Sequence, residues 1–304
     1  MTEPSAQNEK NARPSGSPLH ESRNLYAGLS IIATPIGNLG DISPRAVATL
    51  AQADTIACED TRMTRKLLGL LGIKAPPLLA YHDHNAHEAG DKVLSLLRTG
   101  KRIALVSDAG SPLISDPGFP LVRACAAEGI PVTALPGPAA PILALQLSGL
   151  PSDRFLFAGF APSKMKARRD FFASLASIPA TLVFFETGPR LAASLADMVE
   201  ILGARDAAIA RELTKMHESV RRDRLENLAA TYAAEPPPKG EIVVVIGPPE
   251  ASAAPTHDPA ELLRDLLKTH RIREAADIAA ALTGQPRKTL YSLALSLRDE
   301  TENT

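Results

Sequence analysis

Apolar and polar positions alternate in two rhythms along this chain. Short, nearly continuous apolar runs alternate with stretches whose apolar residues recur at helical spacing, which predicts strands alternating with helices. Strand-like runs fall at 29–34, 54–60, 77–84, 102–107 and 131–138, with helical segments at 43–53, 61–72, 85–99, 116–129 and 139–149 between and after them. Ser43 and Pro44 supply an N-cap and a first-turn proline for the first of these helices, and Asp116 supplies the cap of the fourth. After "LPSDRF" the alternation resumes: strands at 154–160, 180–186, 206–213 and 240–249, and helices at 164–176, 189–203 and 224–234. The run "GEIVVVIGPP" is apolar and β-branched enough to be a central strand.

Strands that read as unbroken apolar runs belong to mostly parallel sheets covered on both faces. The predicted fold class is therefore α/β, with a disordered polar tail at 1–28, an N-terminal α/β domain at 29–148 and a C-terminal α/β domain at 149–248. The remainder, 249–304, reads as a linker followed by a helical segment whose two shorter helices around "TGQPRK" resemble a helix-turn-helix.

Composition narrows the function classes. With 45% hydrophobic and 22% charged residues and a net charge of −1, the chain is an ordinary globular protein without a global signature for polyanions. Nucleic acid would have to meet a local basic patch. Two cysteines without a CxxC pair exclude a disulfide scaffold or a cysteine-built zinc site and suit a cytoplasmic protein. No run reaches the ~20 apolar residues of a membrane helix.

Four segments sit where parallel strands end: "ATPIGNLGD" (33–41), "ACEDTR" (57–62), "VSDAGSPLISDPG" (106–118) and "ALPGPAA" (134–140). Ligands of open α/β sheets bind outside the carboxyl ends of strands, so all four converge on one edge. Gly37, Gly110 and Gly137 permit close backbone approach, and the flanking prolines stiffen the loops. GxGxxG, GxxxxGK[ST] and GxSxG patterns are absent at these places, which argues against a dinucleotide fingerprint, a P-loop and a nucleophile elbow.

Together with "HDHN", "GLPSDRF", "ARELTK" and "KGE", these segments resemble the tetrapyrrole-methylase superfamily over residues 29–247. Within it they are most similar to the branch that 2′-O-methylates a cytidine of small-subunit (16S) ribosomal RNA in the decoding region. The resemblance implies two α/β domains of the class III methyltransferase type, S-adenosylmethionine in the cleft between them, and a homodimer. It places first-domain cofactor contacts at Pro35, Gly37, Asp108, Gly110, Ser111, Pro112, Leu113, Ile114, Gly137, Pro138 and Ala139. From the second domain it implies Phe185, Glu186, Ala210, Arg211, Glu241 and Ile242. Two positions depart from many family members: Gly110-Ser111-Pro112 stands where they carry GDP, and Ala139 where they carry Ser or Thr. The first favours the RNA branch, and the second leaves Ala139 only its backbone.

The methyl acceptor needs its proton taken or shared. The candidates at the sheet edge are Glu59, Asp60, His82 and His84, with Glu186 and Glu212 across the domain gap. Asp60 also suits a helix cap. His82 and His84 alternate onto one strand face, which makes a metal site conceivable, but His84-Asn85-Ala86-His87 leaves strand geometry and no further ligand cluster accompanies them, so no metal is predicted. A polar helix-capping turn and a substrate-facing site are the other readings, and the resemblance favours the last. Lys164, Lys166, Arg168 and Arg169 form a basic run, and Arg211 and Lys215 stand close to the cleft, as phosphate contacts for RNA. In the tail, Lys268, Arg271, Arg273, Arg287 and Lys288 read either as further RNA contacts or as the surface of a packing element. Two rivals stand beside the RNA methyltransferase: a porphyrinoid C-methyltransferase of the same superfamily and a non-catalytic RNA-binding or assembly protein.

Overall fold

The apolar runs of the first half become five parallel strands in the computed structural model, which describes residues 27–249, 258–283 and 285–302. The tail at 1–26 and the linker at 250–257 lie outside the described residues. Strands β1 (Gly28–Ile32), β2 (Thr55–Cys58), β3 (Leu78–Ala80), β4 (Arg102–Val106) and β5 (Val132–Leu135) pair in the order β3-β2-β4-β1-β5. Every pairing is parallel.

Side chains alternate across this sheet, and each set has its own core. Leu29, Ile103 and Leu105 pack with α3 (Ala86–Arg98) and α4 (Phe119–Ala127). Ile32, Ile56, Ala104 and Val106 pack on the other face with α1 (Pro44–Gln52) and α2 (Thr61–Leu70). Ser43 caps α1 as expected, its Oγ accepting from the Ala46 N–H at 3.1 Å.

The second sheet is mixed. Strands β6 (Phe155–Phe160), β7 (Thr181–Thr187), β8 (Asp206–Arg211), β9 (Ser219–Arg224) and β10 (Glu241–Ile246) pair in the order β6-β7-β10-β8-β9. β10 is central, as its sequence predicts, and only β6 and β7 are parallel. Strand β9, "SVRRDR", has no counterpart in the sequence reading because an edge strand needs no apolar alternation. Helices α6 (Met165–Leu175), α7 (Gly188–Leu202) and α8 (Leu225–Ala234) complete this half. Helix α5 (Ala140–Ser148) joins the two sheets: Ala144 and Leu145 pack on Val183, Ala208, Val243 and Val245 of the second sheet. Helices α9 (Pro259–Leu267), α10 (Ile272–Thr283) and α11 (Arg287–Glu302) form a separate cluster around Leu263, Ala276 and Leu290.

Three expectations are corrected. Strand β3 ends at Ala80, so His82 and His84 do not share a strand face. They sit in a turn held by Asn85, whose side chain accepts from the His82 N–H and donates to the Ala80 carbonyl, both at 2.9 Å. Asp116 does not cap α4, because the chain starts that helix at Phe119-Pro120 with Gly118 as its N-cap and no side-chain cap. Arg168 is not an RNA contact on a solvated face: it is buried, and its guanidinium lies 2.5 Å from Asp197 of α7. Arg169 pairs with Asp197 at 3.0 Å and with Glu200, leaving Lys164 and Lys166 as the exposed cations of that run.

An ion pair enclosed like Arg168–Asp197 is costly to break on one side, since the survivor stays desolvated. Replacing Asp197 by Ala is expected to lower the unfolding free energy by about 3 kcal/mol or more, read from urea unfolding. The double change Arg168→Met with Asp197→Leu is expected to recover most of that loss.

Candidate active site at the edge of the first sheet

Because every strand of the first sheet is parallel, the loops after β1, β2, β4 and β5 emerge at one edge. Hydrogen bonds staple them to one another. Thr34 and Gly110 exchange two backbone bonds at 2.9 and 3.0 Å, and the Thr34 hydroxyl donates to the Ser107 carbonyl at 3.1 Å. Ser111 donates its hydroxyl to the Pro138 carbonyl at 3.0 Å. Gly137 lies so close to β1 that a Cβ there would stand 2.7 Å from the Ala33 side chain.

Between this wall and the second sheet lies a cavity of about 350 Å³. Its walls are mainly apolar, with Ile36, Ile114, Phe160, Phe185, Leu213 and Val243, and its polar lining is chiefly carboxylate: Glu59, Asp108, Asp116, Glu186 and Glu241.

Of the residues the resemblance assigned to the cofactor, Asp108, Gly110, Ser111, Ile114, Ala139, Phe185, Glu186, Glu241 and Ile242 line this cavity. The others do not. Pro35 and Gly37 line an adjoining cavity of about 270 Å³, beside Met63 and Lys66, and Asp108 borders both. Pro112 is buried behind the loop, and Leu113 turns back against Gly118. Gly137 and Pro138 back the wall through the contacts above. Ala210 belongs to the core, and Arg211 donates to the carbonyls of Lys239 and His217.

The acid–base candidates separate by environment. Asp60 is a cap: its carboxylate accepts from the Arg62 N–H at 2.7 Å and pairs with the Arg62 guanidinium, which holds it down to about 2. Glu59 is pushed above the usual carboxylate range by burial and by the neighbouring Asp108 charge. Asp116, which the sequence reading left to a cap, is raised further, to about 6, by burial and then by the Glu59 charge. The sequence did hold a signal, since Asp116-Pro117 and Phe119-Pro120 are alternative helix starts and the chain takes the second. His82 lies within electrostatic reach of Glu59, with its Nδ1 buried and without a hydrogen-bond partner among the described residues, and its ring centroid is 6.0 Å from that of His84. Glu186 is structurally committed, accepting from Thr187 N–H at 2.8 Å and Ser194 Oγ at 2.5 Å. Lys215 is held by Glu212 at 2.8 Å and Glu241 at 3.1 Å, so its charge is already neutralised rather than offered to a phosphate.

Backbone strain collects at the same place. Among the described residues, the non-glycine positions with positive φ are Leu113 (72°), Ser115 (67°), Glu212 (52°) and Thr214 (64°). One pair lies in the loop on each side of the cavity, which Ser115 and Leu213 line. Such conformations cost energy and concentrate at ligand sites.

Comparison with known proteins agrees with this architecture. Residues 28–229 match the family model of tetrapyrrole (corrin/porphyrin) methylases, and residues 253–298 match the RsmI C-terminal HTH domain. The chain is 51% identical over 279 residues to ribosomal RNA small subunit methyltransferase I of Mesorhizobium japonicum, covering 91% of this chain and 95% of that one. It is 45% identical over 283 residues to the protein of the same name from Escherichia coli O157:H7, covering 91% and 98%. Among solved structures, the methyltransferase CobJ aligns with a TM-score of 0.54 at 19% identity, covering 74% of this chain and 95% of that one. Diphthine synthase aligns with 0.53 at 18%, covering 72% and 89%. These two share the fold. The family model covers the whole first sheet, its loops and four of the five strands of the second, about two thirds of the chain, and on that ground the chain belongs to the tetrapyrrole methylases and is a methyltransferase.

Proposed function

We propose that the protein transfers a methyl group from S-adenosylmethionine to the ribose 2′-hydroxyl of a cytidine in 16S ribosomal RNA, in the decoding region of the small subunit. On this reading it acts in the cytoplasm as a homodimer. The observation that carries the substrate class is the extent of similarity: relatives named ribosomal RNA small subunit methyltransferase I match along nearly their whole length. A porphyrinoid substrate has less support, since the family model whose name mentions such substrates ends at residue 229, whereas the relatives named for ribosomal RNA match nearly end to end.

The cavity fits S-adenosylmethionine chemically. Ile114, Phe185 and Val243 offer apolar surface to an adenosine, and Glu59, Asp108 and Asp116 offer negative charge to a ligand with a sulfonium and an ammonium group. The same carboxylates would repel a pyrophosphate. When bound, the cofactor supplies a methyl group already activated by the positive sulfur. The chain's share is to orient the hydroxyl, exclude water with the apolar walls, and take the hydroxyl proton on a carboxylate oxygen of Asp116. A carboxyl at about 6 is largely ionised at neutral pH yet basic enough to share a proton.

Mapping 2′-O-methylation in ribosomal RNA from cells with and without the gene is expected to show one small-subunit cytidine losing its methyl group. Labelling of a precorrin pool, and not of small subunits, by the purified protein would overturn the reading.

Asp116→Asn is expected to lower kcat by about 10² or more and also to weaken the calorimetric cofactor affinity, because one of the three carboxylates facing its cationic groups is gone. In the parent protein, kcat/KM should rise with pH through about 6, as Asp116 loses its proton, and this inflection should vanish in the variant. The groups facing Asp116 are Glu59, Asp108 and Asp83, with Glu186 and Glu241 across the cavity. Stability follows the same group with a fixed sign. Its folded-state value lies above the unfolded 3.8, so its contribution is fully present below 3.8 and lost as pH rises through about 6. Asp116→Asn should therefore raise the melting temperature at pH 8 relative to the parent and not at pH 3.5.

A further inference from the structure

The three C-terminal helices bury one another: Leu263 of α9, Ala275, Ala276 and Ala279 of α10, and Leu290, Ala294 and Leu297 of α11 make up their core. Alanines on α10 let the helices approach closely. What the cluster presents outward is then set by the residues flanking that core.

On one side, Arg273 from the first turn of α10 and Arg287, Lys288 and Tyr291 from α11 line a depression of about 510 Å³. Among the described residues, no carboxylate takes part in that lining. Lys288 and Tyr291 are three apart and Arg287 and Tyr291 four apart, so the three side chains share one helical face. Arg287 is held in place by Asp277. Arg273 and Lys288 have no ion pair among the described residues, and both are exposed. Tyr291 presents 39% of its surface to solvent between them. Acidic and basic residues nearly balance over 258–302, so these cations are segregated on one face and not the by-product of a basic sequence.

Cations with unneutralised charge beside an exposed aromatic ring are the chemistry of single-stranded nucleic acid binding: the charges track phosphates and the ring stacks on a base. We propose that this face of α10 and α11 is the docking surface for ribosomal RNA. Arg273 and Lys288 each contact a backbone phosphate, and Tyr291 stacks on an unpaired base. The proposal rests on the ribosomal RNA reading above and adds to it a second contact, made by a unit whose core is its own. Such a contact contributes affinity for the whole substrate and leaves the methyl-transfer step unchanged.

The test uses the full-length protein and transcribed 16S ribosomal RNA, with binding measured between 50 and 200 mM salt. For the double variant Arg273→Gln, Lys288→Gln, the expected result is an affinity loss of about 10-fold and a shallower salt dependence, the log–log slope falling by about 1.4 to 1.8. Tyr291→Ala is expected to lose about 5-fold or more, with the salt slope unchanged. The rate at saturating RNA and the calorimetric affinity for S-adenosylmethionine should match the parent in both. Arg264→Gln, which removes one charge from exposed α9, should bind as the parent does. Helical circular dichroism confirms that each variant is folded.

Parent-like affinity and slope in the double variant would overturn the proposal. So would an equal loss in Arg264→Gln, or failure of the parent to bind RNA. A parent that binds the RNA but methylates neither it nor isolated small subunits would instead overturn the enzymatic reading and leave the docking surface in place.

Discussion

The backbone pair between Thr34 and Gly110 is the constraint on which the rest of the site depends. It joins the loop after β1 to the loop after β4, across neighbouring strands, with two hydrogen bonds and no side chain. Buried peptide groups at a strand end must find partners, and here they find each other. Gly110 adopts φ of 80°, which a residue with a Cβ takes only under strain, and Ile36 stands within 3.4 Å of where that Cβ would be. Ser111 then carries the connection on to the β5 loop through the Pro138 carbonyl. Three loops become one wall, fixed before any ligand arrives, and the ordering cost of binding is correspondingly small.

That wall sets up an electrostatic imbalance. Glu59, Asp108 and Asp116 converge in a cavity whose other surfaces are largely apolar. Two like charges 5 Å apart at an effective dielectric of 20 repel by about 3 kcal/mol, so the cluster keeps a proton more readily than an isolated carboxylate would. Asp116 is where the proton is held most firmly. A cationic ligand relieves the repulsion and lowers the same carboxyl, so binding itself moves Asp116 toward its basic form. The cavity's preference for a cation and its capacity to accept a proton are two consequences of one cluster.

How much of this was legible in the sequence depends on whether a feature leaves a periodic mark. Strands β1, β2, β4 and β10 are buried on both faces and announce themselves as apolar runs; β9 touches one neighbour and reads as charged loop. Loop positions at the sheet edge followed from strand order, but side-chain direction within the loops did not. His82 and His84 fit an alternating strand until Asn85 turns the chain at Ala80. Asp116-Pro117 fits a helix start as well as Phe119-Pro120 does, and only the positive φ at Leu113 and Ser115 shows that the loop carries Asp116 past that point and into the cavity. Arg168 was hidden for a different reason: a cation in a charged run and a cation buried against Asp197 of another helix look alike until the helices are packed.

Lys215 shows the same limit at the centre of the site. Next to "ARELT" it reads as a phosphate contact, yet its charge is shared by Glu212 and Glu241. Its aliphatic stem lies over Gly37 of the opposite sheet's loop, where a Cβ would collide with it. A lysine whose head is neutralised and whose stem fills a glycine gap is a strut between the two halves of the molecule. The positive φ of Glu212 and Thr214 is what bends the loop far enough for the stem to reach. Gly37 serves this contact, and the strain in the second-sheet loop is the cost of holding the cavity's far wall at a fixed distance from the stapled one.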